Sequence, residues 1–218
     1  MRPVSPPGPP RALARTPWQR VPFAALDFET TGLDPARHEV VSFGVVPVER
    51  GRVVLAGARY REVRPRGPVR PVSVTIHQLR PVDLAEAPAI EDVRAELAAA
   101  IAGRFLLAWS GAVEAGFLAA VFGGSARRWE RRIVDVLGLA RFLDAVGGVA
   151  PPVGANTLTA AARRLGVPVE RPHHALDDAL TTAQVFLVVM ARLEGVGVVT
   201  PRRLRRAAHR GLAATATR

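Results

Sequence analysis

Four carboxylates stand where apolar residues are expected. In the run FAALDFE at 23–29, Asp27 and Glu29 interrupt an otherwise apolar strand pattern. Side chains alternate across a strand, so residues two apart share a face, roughly 7 Å apart by strand rise. Like charges on one apolar face repel, and burial costs each of them. Two helical patterns repeat the anomaly. Asp178 shares a face with Thr182, Val185 and Val189, and Glu114 shares a stripe with Leu118 and Val121. Each helical acid has a competing account, because an acid near a helix N-terminus interacts favourably with the dipole. Counted together, the four suggest a different chemistry. Converging carboxylates can be held by divalent cations, and an all-oxygen donor set suits Mg²⁺ or Mn²⁺. Spacing alone leaves the convergence open.

Positioning such a set requires strands and helices in one sheet-centred fold. Strand patterns fall at 23–28, 40–48, 52–63, 104–109 and 132–136. The first three are joined by short turns, which favours an antiparallel meander. Pro-rich sequence around 65–72 breaks the pattern. Helical patterns fall at 90–101, 112–122, 157–165 and 175–193, with another running from the fifth strand to about 145. Strands first, then strands alternating with helices, predict an α/β fold: a mixed sheet flanked by helices. No internal repeat is visible.

Composition narrows the setting. The chain has 218 residues, 49% of them hydrophobic, which suits one domain with a sizeable core. It has no cysteine, so disulfides and thiolate metal sites are excluded. The first 20 residues lack the apolar core of a secretory signal. No apolar run approaches the ~20 residues that span a bilayer, and VFLVVM at 185–190 reads as buried helix. The expectation is a cytoplasmic protein with no membrane contact. The net charge of +11 is unevenly placed: residues 1–20 hold four Arg and residues 200–218 six, with no acid in either. All 30 basic residues are Arg, a bias that a GC-rich genome explains, yet basic ends attract polyanions whatever their origin. The expected division is a disordered Pro- and Arg-rich segment at 1–20, a folded domain at 21–195 and a basic tail at 196–218. Arg127, Arg128, Arg131 and Arg132 read most simply as solvated surface.

Two motifs give the chain a family resemblance. LDFETTGLDPARHEVVSFGVV at 26–46 and HHALDDALTTAQVF at 173–186 resemble the first and third motifs of the DnaQ-like (DEDDh) 3′–5′ exonucleases, which include the proofreading epsilon subunit of bacterial DNA polymerase III. In the third motif the family places a His five residues before the Asp, which matches His173 to Asp178 and makes His174 an intervening residue. VSVTIHQL at 72–79 and IVDVLGLAR at 133–141 are weaker echoes. The second motif departs. Where the family usually reads Val-Ala-His-Asn-Ala-x-Phe-Asp, this chain has LAWSGAVE at 107–114: Trp109 replaces the His, Ser110 the Asn and Glu114 the Asp. The acid is kept but lengthened by one methylene.

The resemblance, covering about 22–193, implies a ribonuclease H-like fold with a five-stranded mixed sheet and helices on both faces. It implies an exonuclease domain with two Mg²⁺ or Mn²⁺ ions held by Asp27, Glu29, Glu114 and Asp178. It assigns His173 as the general base, a role that histidine's ordinary pKa near 6.5 suits. It places Thr30, Thr31, Leu33 and His77 at the terminal nucleotide, and makes Asp135 an acid that is structural or supports the metal ligands. Trp109 reads as a core aromatic before a base-stacking one. The implied partners are nucleic acid, DNA 3′ ends before RNA, and a DNA polymerase. Two rival readings stand beside this one: a non-catalytic nucleic-acid-binding or polymerase-associated module of the same fold, favoured by the altered second motif, and a short-RNA exoribonuclease.

Overall fold

The computed structural model describes residues 5–150 and 156–216. Among these, six strands form one sheet: β1 (Phe23–Thr30), β2 (Val40–Glu49), β3 (Arg52–Val53), β4 (Arg59–Glu62), β5 (Phe105–Ala108) and β6 (Ile133–Asp135). The order is β3-β2-β1-β5-β6, with β4 also paired to β2. β1 and β2 are antiparallel, while β1, β5 and β6 run parallel. The sheet is mixed, as expected, but the single strand read at 52–63 is two. A 3-10 turn at Leu55–Gly57 interrupts it, and β3 and β4 pair separately with β2.

Among the described residues, eight α-helices surround the sheet: α1 (Pro71–His77), α2 (Ile90–Ile101), α3 (Gly111–Phe122), α4 (Ala126–Glu130), α5 (Val136–Val146), α6 (Leu158–Leu165), α7 (Ala175–Leu193) and α8 (Pro201–Ala216). Two cores lie on opposite faces. On one, Phe23 and Ala25 of β1 and Val46 and Val48 of β2 pack against Phe186, Val189 and Met190 of α7 and Leu139 of α5. On the other, Leu26, Phe28, Phe43 and Val45 pack against Leu97 of α2 and Phe117 and Leu118 of α3. The alternation expected of β1 is therefore real, and the face carrying Phe23 and Ala25 continues into Asp27 and Glu29. Helix α7, with the short turn after it (Ala175–Val196), is long and apolar enough to cross a membrane by length and composition. Here it is the core helix, with Val185, Phe186, Val189, Met190 and Leu193 buried in the core.

Both ends of the described chain differ from expectation. Residues 5–20 are not a loose segment. Ser5 Oγ donates to the Phe122 carbonyl, Gly103 N–H to the Pro7 carbonyl and Arg132 to the Pro6 carbonyl. Trp18 is buried, meets Phe186 edge-on and donates its indole N–H to Glu194. Residues 1–4 lie outside the described residues. The expected tail after 200 is helix α8, laid along α5. Its seam is Leu204, Ala207, Ala208 and Gly211, all buried, and a Cβ on Gly211 would collide with the Gly138 carbonyl of α5. Ala and Gly make a close-packed seam with little hydrophobic signal, so periodicity does not reveal it. Arg132 is likewise no solvated residue: it also donates to the Ile101 carbonyl and lies over the Trp129 ring at 4.8 Å.

Candidate active site

Parallel strands β1, β5 and β6 end on the same side of the sheet, and ligands of α/β folds gather beyond such carboxyl ends. Asp27 and Glu29 lie there. A bulge between Glu29 and Thr30 ends the regular pairing, since Glu29 opposes Ser42 while Thr30 opposes Val40. Opposite Asp27 stands Gly44. A Cβ on Gly44 would collide with the Ala175 carbonyl, so this glycine lets the start of α7 rest on the sheet beside Asp27. That approach delivers Asp178, three residues into the helix.

His173 precedes α7 with φ of 63°, a left-handed conformation uncommon for a residue with a side chain. Its backbone N–H donates to Asp178 Oδ2 at 2.9 Å, which fixes the loop to the helix. The result is a tight group: ligand-capable atoms of Glu29, His173 and Asp178 all lie within 4.8 Å of one another. His174, beside it, points elsewhere and stacks on Tyr60 with ring centroids 4.5 Å apart.

Glu114 arrives from the other layer. Asp135 at the end of β6 accepts from Gly111 N–H at 2.8 Å and from Gly138 N–H at 2.7 Å. One carboxylate thus caps α5 and anchors the first turn of α3, which bears out its structural reading. Glu114, in that turn, is 5% exposed, and its Oε2 is buried without a hydrogen-bond partner. Trp109, just before α3, donates to the Asn156 carbonyl at 3.0 Å and packs against the core, as expected.

The four carboxylates act on one another. Burial raises the Asp27 carboxyl well above its usual range, and Glu114, Glu29 and Asp178 raise it further. Burial, with Asp178 nearby, pushes Glu29 up to about 8. Burial also pushes Glu114 up to about 8 against a backbone hydrogen bond, with Asp135 and Glu29 adding to the rise. Burial raises Asp178 too, opposed by the His173 N–H and side chain. The neighbours acting on Asp27, Glu29 and Glu114 are other carboxylates. A buried cluster of this kind either holds protons or takes up cations. The lone Oε2 of Glu114 and the all-oxygen core of the set fit divalent ions.

The remaining expected contacts divide. Burial lowers the His77 pKa, as does His173, which places His77 beside the site with its Nε2 unpartnered. Leu33 is 77% exposed on the loop after β1, open to a ligand. Thr30 and Thr31 are occupied within that loop. Thr30 Oγ1 donates to the Gly32 carbonyl, while the buried Thr31 hydroxyl accepts from Glu39 N–H and its carbonyl accepts from Ser73 Oγ. Sequence reasoning did not find Gly44 or Ser73.

Comparison with known proteins gives the family. The family described as Exonuclease (RNase_T) matches residues 24–186. The chain belongs to this exonuclease family. It is 29% identical over 185 residues to a DNA polymerase III PolC-type protein of Thermotoga petrophila, a match covering 83% of this chain and 13% of that protein. It is 30% identical over 192 residues to a DNA polymerase III subunit epsilon-like protein of Rhodobacter capsulatus, covering 87% of this chain and 26% of the relative. The chain therefore spans only about an eighth to a quarter of these relatives. Among solved structures, Exonuclease X in complex with 5′ overhanging duplex DNA superposes with a TM-score of 0.61 at 22% identity, covering 85% of this chain and 99% of that one. E. coli Exonuclease I in complex with a dT13 oligonucleotide gives 0.70 at 16% identity, covering 81% and 42%. The nuclease domain of 3′hExo, a DEDDh family member bound to rAMP, gives 0.62 at 18% identity, covering 81% and 92%. These similarities share the fold.

Proposed function

We propose that the chain is a metal-dependent 3′–5′ exonuclease that releases nucleoside 5′-monophosphates from DNA 3′ ends, in proofreading or repair. The observation that carries this reading is the meeting of Glu29, His173 and Asp178 within 4.8 Å, beside the half-buried Asp27 and the buried Glu114. Asp27, Glu29, Glu114 and Asp178 would hold two Mg²⁺ or Mn²⁺ ions. Bound there, such ions stabilise charge on the attacking and leaving oxygens of an in-line phosphoryl displacement. His173 stands exposed at the rim and would accept the proton of the attacking water through its ring. The Asp178 bond to the His173 backbone keeps that ring over the cluster. Leu33 would pack on the terminal base and His77 would face the terminal nucleotide.

DNA is favoured over RNA because the relatives are named DNA polymerase III proteins, and the neighbours Exonuclease X and Exonuclease I were solved with DNA. A DNA polymerase is the natural partner for a proofreading role. The test uses 5′-labelled single-stranded DNA, 3′-recessed duplex and RNA of the same sequence, with Mn²⁺ or with EDTA. The expected result is stepwise shortening from the 3′ end of DNA, faster than of RNA and absent in EDTA. Internal cuts, or no hydrolysis with any metal, would overturn the reading.

A further inference from the structure

Helix α8 has two faces. Leu204, Ala207, Ala208 and Gly211 form the seam on α5. Arg202, Arg205, Arg206, His209 and Arg210 recur at i, i+3, i+4, i+7 and i+8, which is one face of a helix. That basic face borders a cavity of about 860 Å³. Gly111 and Ala112, the start of the turn that carries Glu114, also line it, with Ile133 and Asp135 against Gly111. Among the described residues, none of these four arginines forms an ion pair. Two acids do border the space. Asp135 spends both oxygens on backbone N–H groups, and among the described residues Glu130 forms no ion pair. Burial, with Arg131 nearby, lowers the Arg205 pKa, so cations crowd here.

We propose that this cavity binds the sugar-phosphate backbone of the substrate strand, 5′ to the nucleotide being removed. The proposal rests on the exonuclease reading and adds a second, cationic contact to it. Arg202 and Arg210 are eight residues apart, about 12 Å along the helix, or roughly three to four nucleotides of strand at ~3.4 Å each. A stripe of that length matches a string of anions better than a single one. Its position is apt, because a strand whose 3′ end lies at the carboxylates must cross an adjacent surface, and this cavity shares the first turn of α3.

The test compares two triple variants that lose the same charge: Arg202→Ala/Arg206→Ala/Arg210→Ala on the stripe, and Arg52→Ala/Arg163→Ala/Arg192→Ala elsewhere. Binding of a dT 20-mer is followed against salt in EDTA. Three lost phosphate contacts should make the stripe variant's log–log slope shallower by about 2, at ~0.7 per contact on single strands. Its affinity should fall at least tenfold, and the ratio of 20-mer to dinucleotide kcat/KM with Mn²⁺ at least fivefold. The second variant should keep the wild-type slope. An unchanged slope in the stripe variant, equal losses in both variants, or equal competition by polyglutamate would overturn the proposal. If wild type fails to cleave any substrate, the exonuclease reading falls while the salt slopes still decide the groove.

Discussion

Glu114 and Asp178 reach one site from opposite faces of the sheet, under different constraints. Glu114 sits in the first turn of α3, is almost wholly buried, and leaves Oε2 unpartnered. Asp178 is part-exposed and spends Oδ2 on the His173 backbone. One acid keeps a carboxylate oxygen free for an incoming cation, while the other also shapes the loop that carries the proposed base. Charge should therefore matter most at Glu114, and charge together with hydrogen bonding at Asp178.

The largest expected effect tests the first half of that contrast. Glu114→Gln keeps the shape and loses the charge, so single-turnover exonuclease rate should fall on the order of 10³-fold, the several kcal/mol that metal-assisted charge stabilisation supplies. Its melting temperature in EDTA at pH 8 should rise, because one member of a repelling, buried set is gone. Glu114→Asp should keep partial activity, since the shorter acid has the length usual in the family. Next, His173→Ala should cost about 10²–10⁴-fold in rate. Mn²⁺ affinity, followed by calorimetry, should hardly change, because the base is assigned to water. A large loss of Mn²⁺ affinity would instead make His173 a ligand.

At Asp178 two variants separate its tasks. Asp178→Asn retains an oxygen for the His173 N–H, whereas Asp178→Ala does not. Both should be inactive, but the Ala variant should be less stable by about 0.5–1.5 kcal/mol, the usual net worth of a hydrogen bond. Equal stabilities would remove Asp178 from the loop. A smaller effect follows from protonation. Glu29 and Glu114 have folded pKa values of about 8, above their ordinary 4.5. Below pH 4.5 both are protonated whether folded or unfolded, and their contribution to stability is fully present. Between pH 4.5 and 8 the unfolded chain gives up protons that the folded chain keeps, so stability falls as pH rises. In EDTA the melting temperature should drop across that window, and Mn²⁺ should restore it most at pH 8.

The site was more legible in the sequence than the surface beside it, for a physical reason. An acid inside an apolar pattern is an anomaly that periodicity exposes, which is how Asp27, Glu29, Glu114 and Asp178 stand out. Large apolar residues marked β1, β2 and α7 in the same way. The α5–α8 seam is built from Ala207, Ala208, Gly138 and Gly211, whose contact depends on close backbone approach and not on side-chain hydrophobicity. The folded N-terminal segment turns on one Trp among Pro and Arg. Helix α1 begins at Pro71, and the prolines before it read as a break. Thr31 matched a substrate position by motif, yet its hydroxyl is engaged with Glu39 N–H.

The most direct test of the central claim is a Mn²⁺ titration of the wild type and Glu114→Gln near pH 7, with heat and released protons recorded together. The account predicts two ions per wild-type chain, with proton release as Glu29 and Glu114 ionise. It predicts weaker binding and fewer protons for Glu114→Gln. Equal stoichiometry, affinity and proton release in the two proteins, alongside an undiminished exonuclease rate in the variant, would contradict a four-carboxylate metal site.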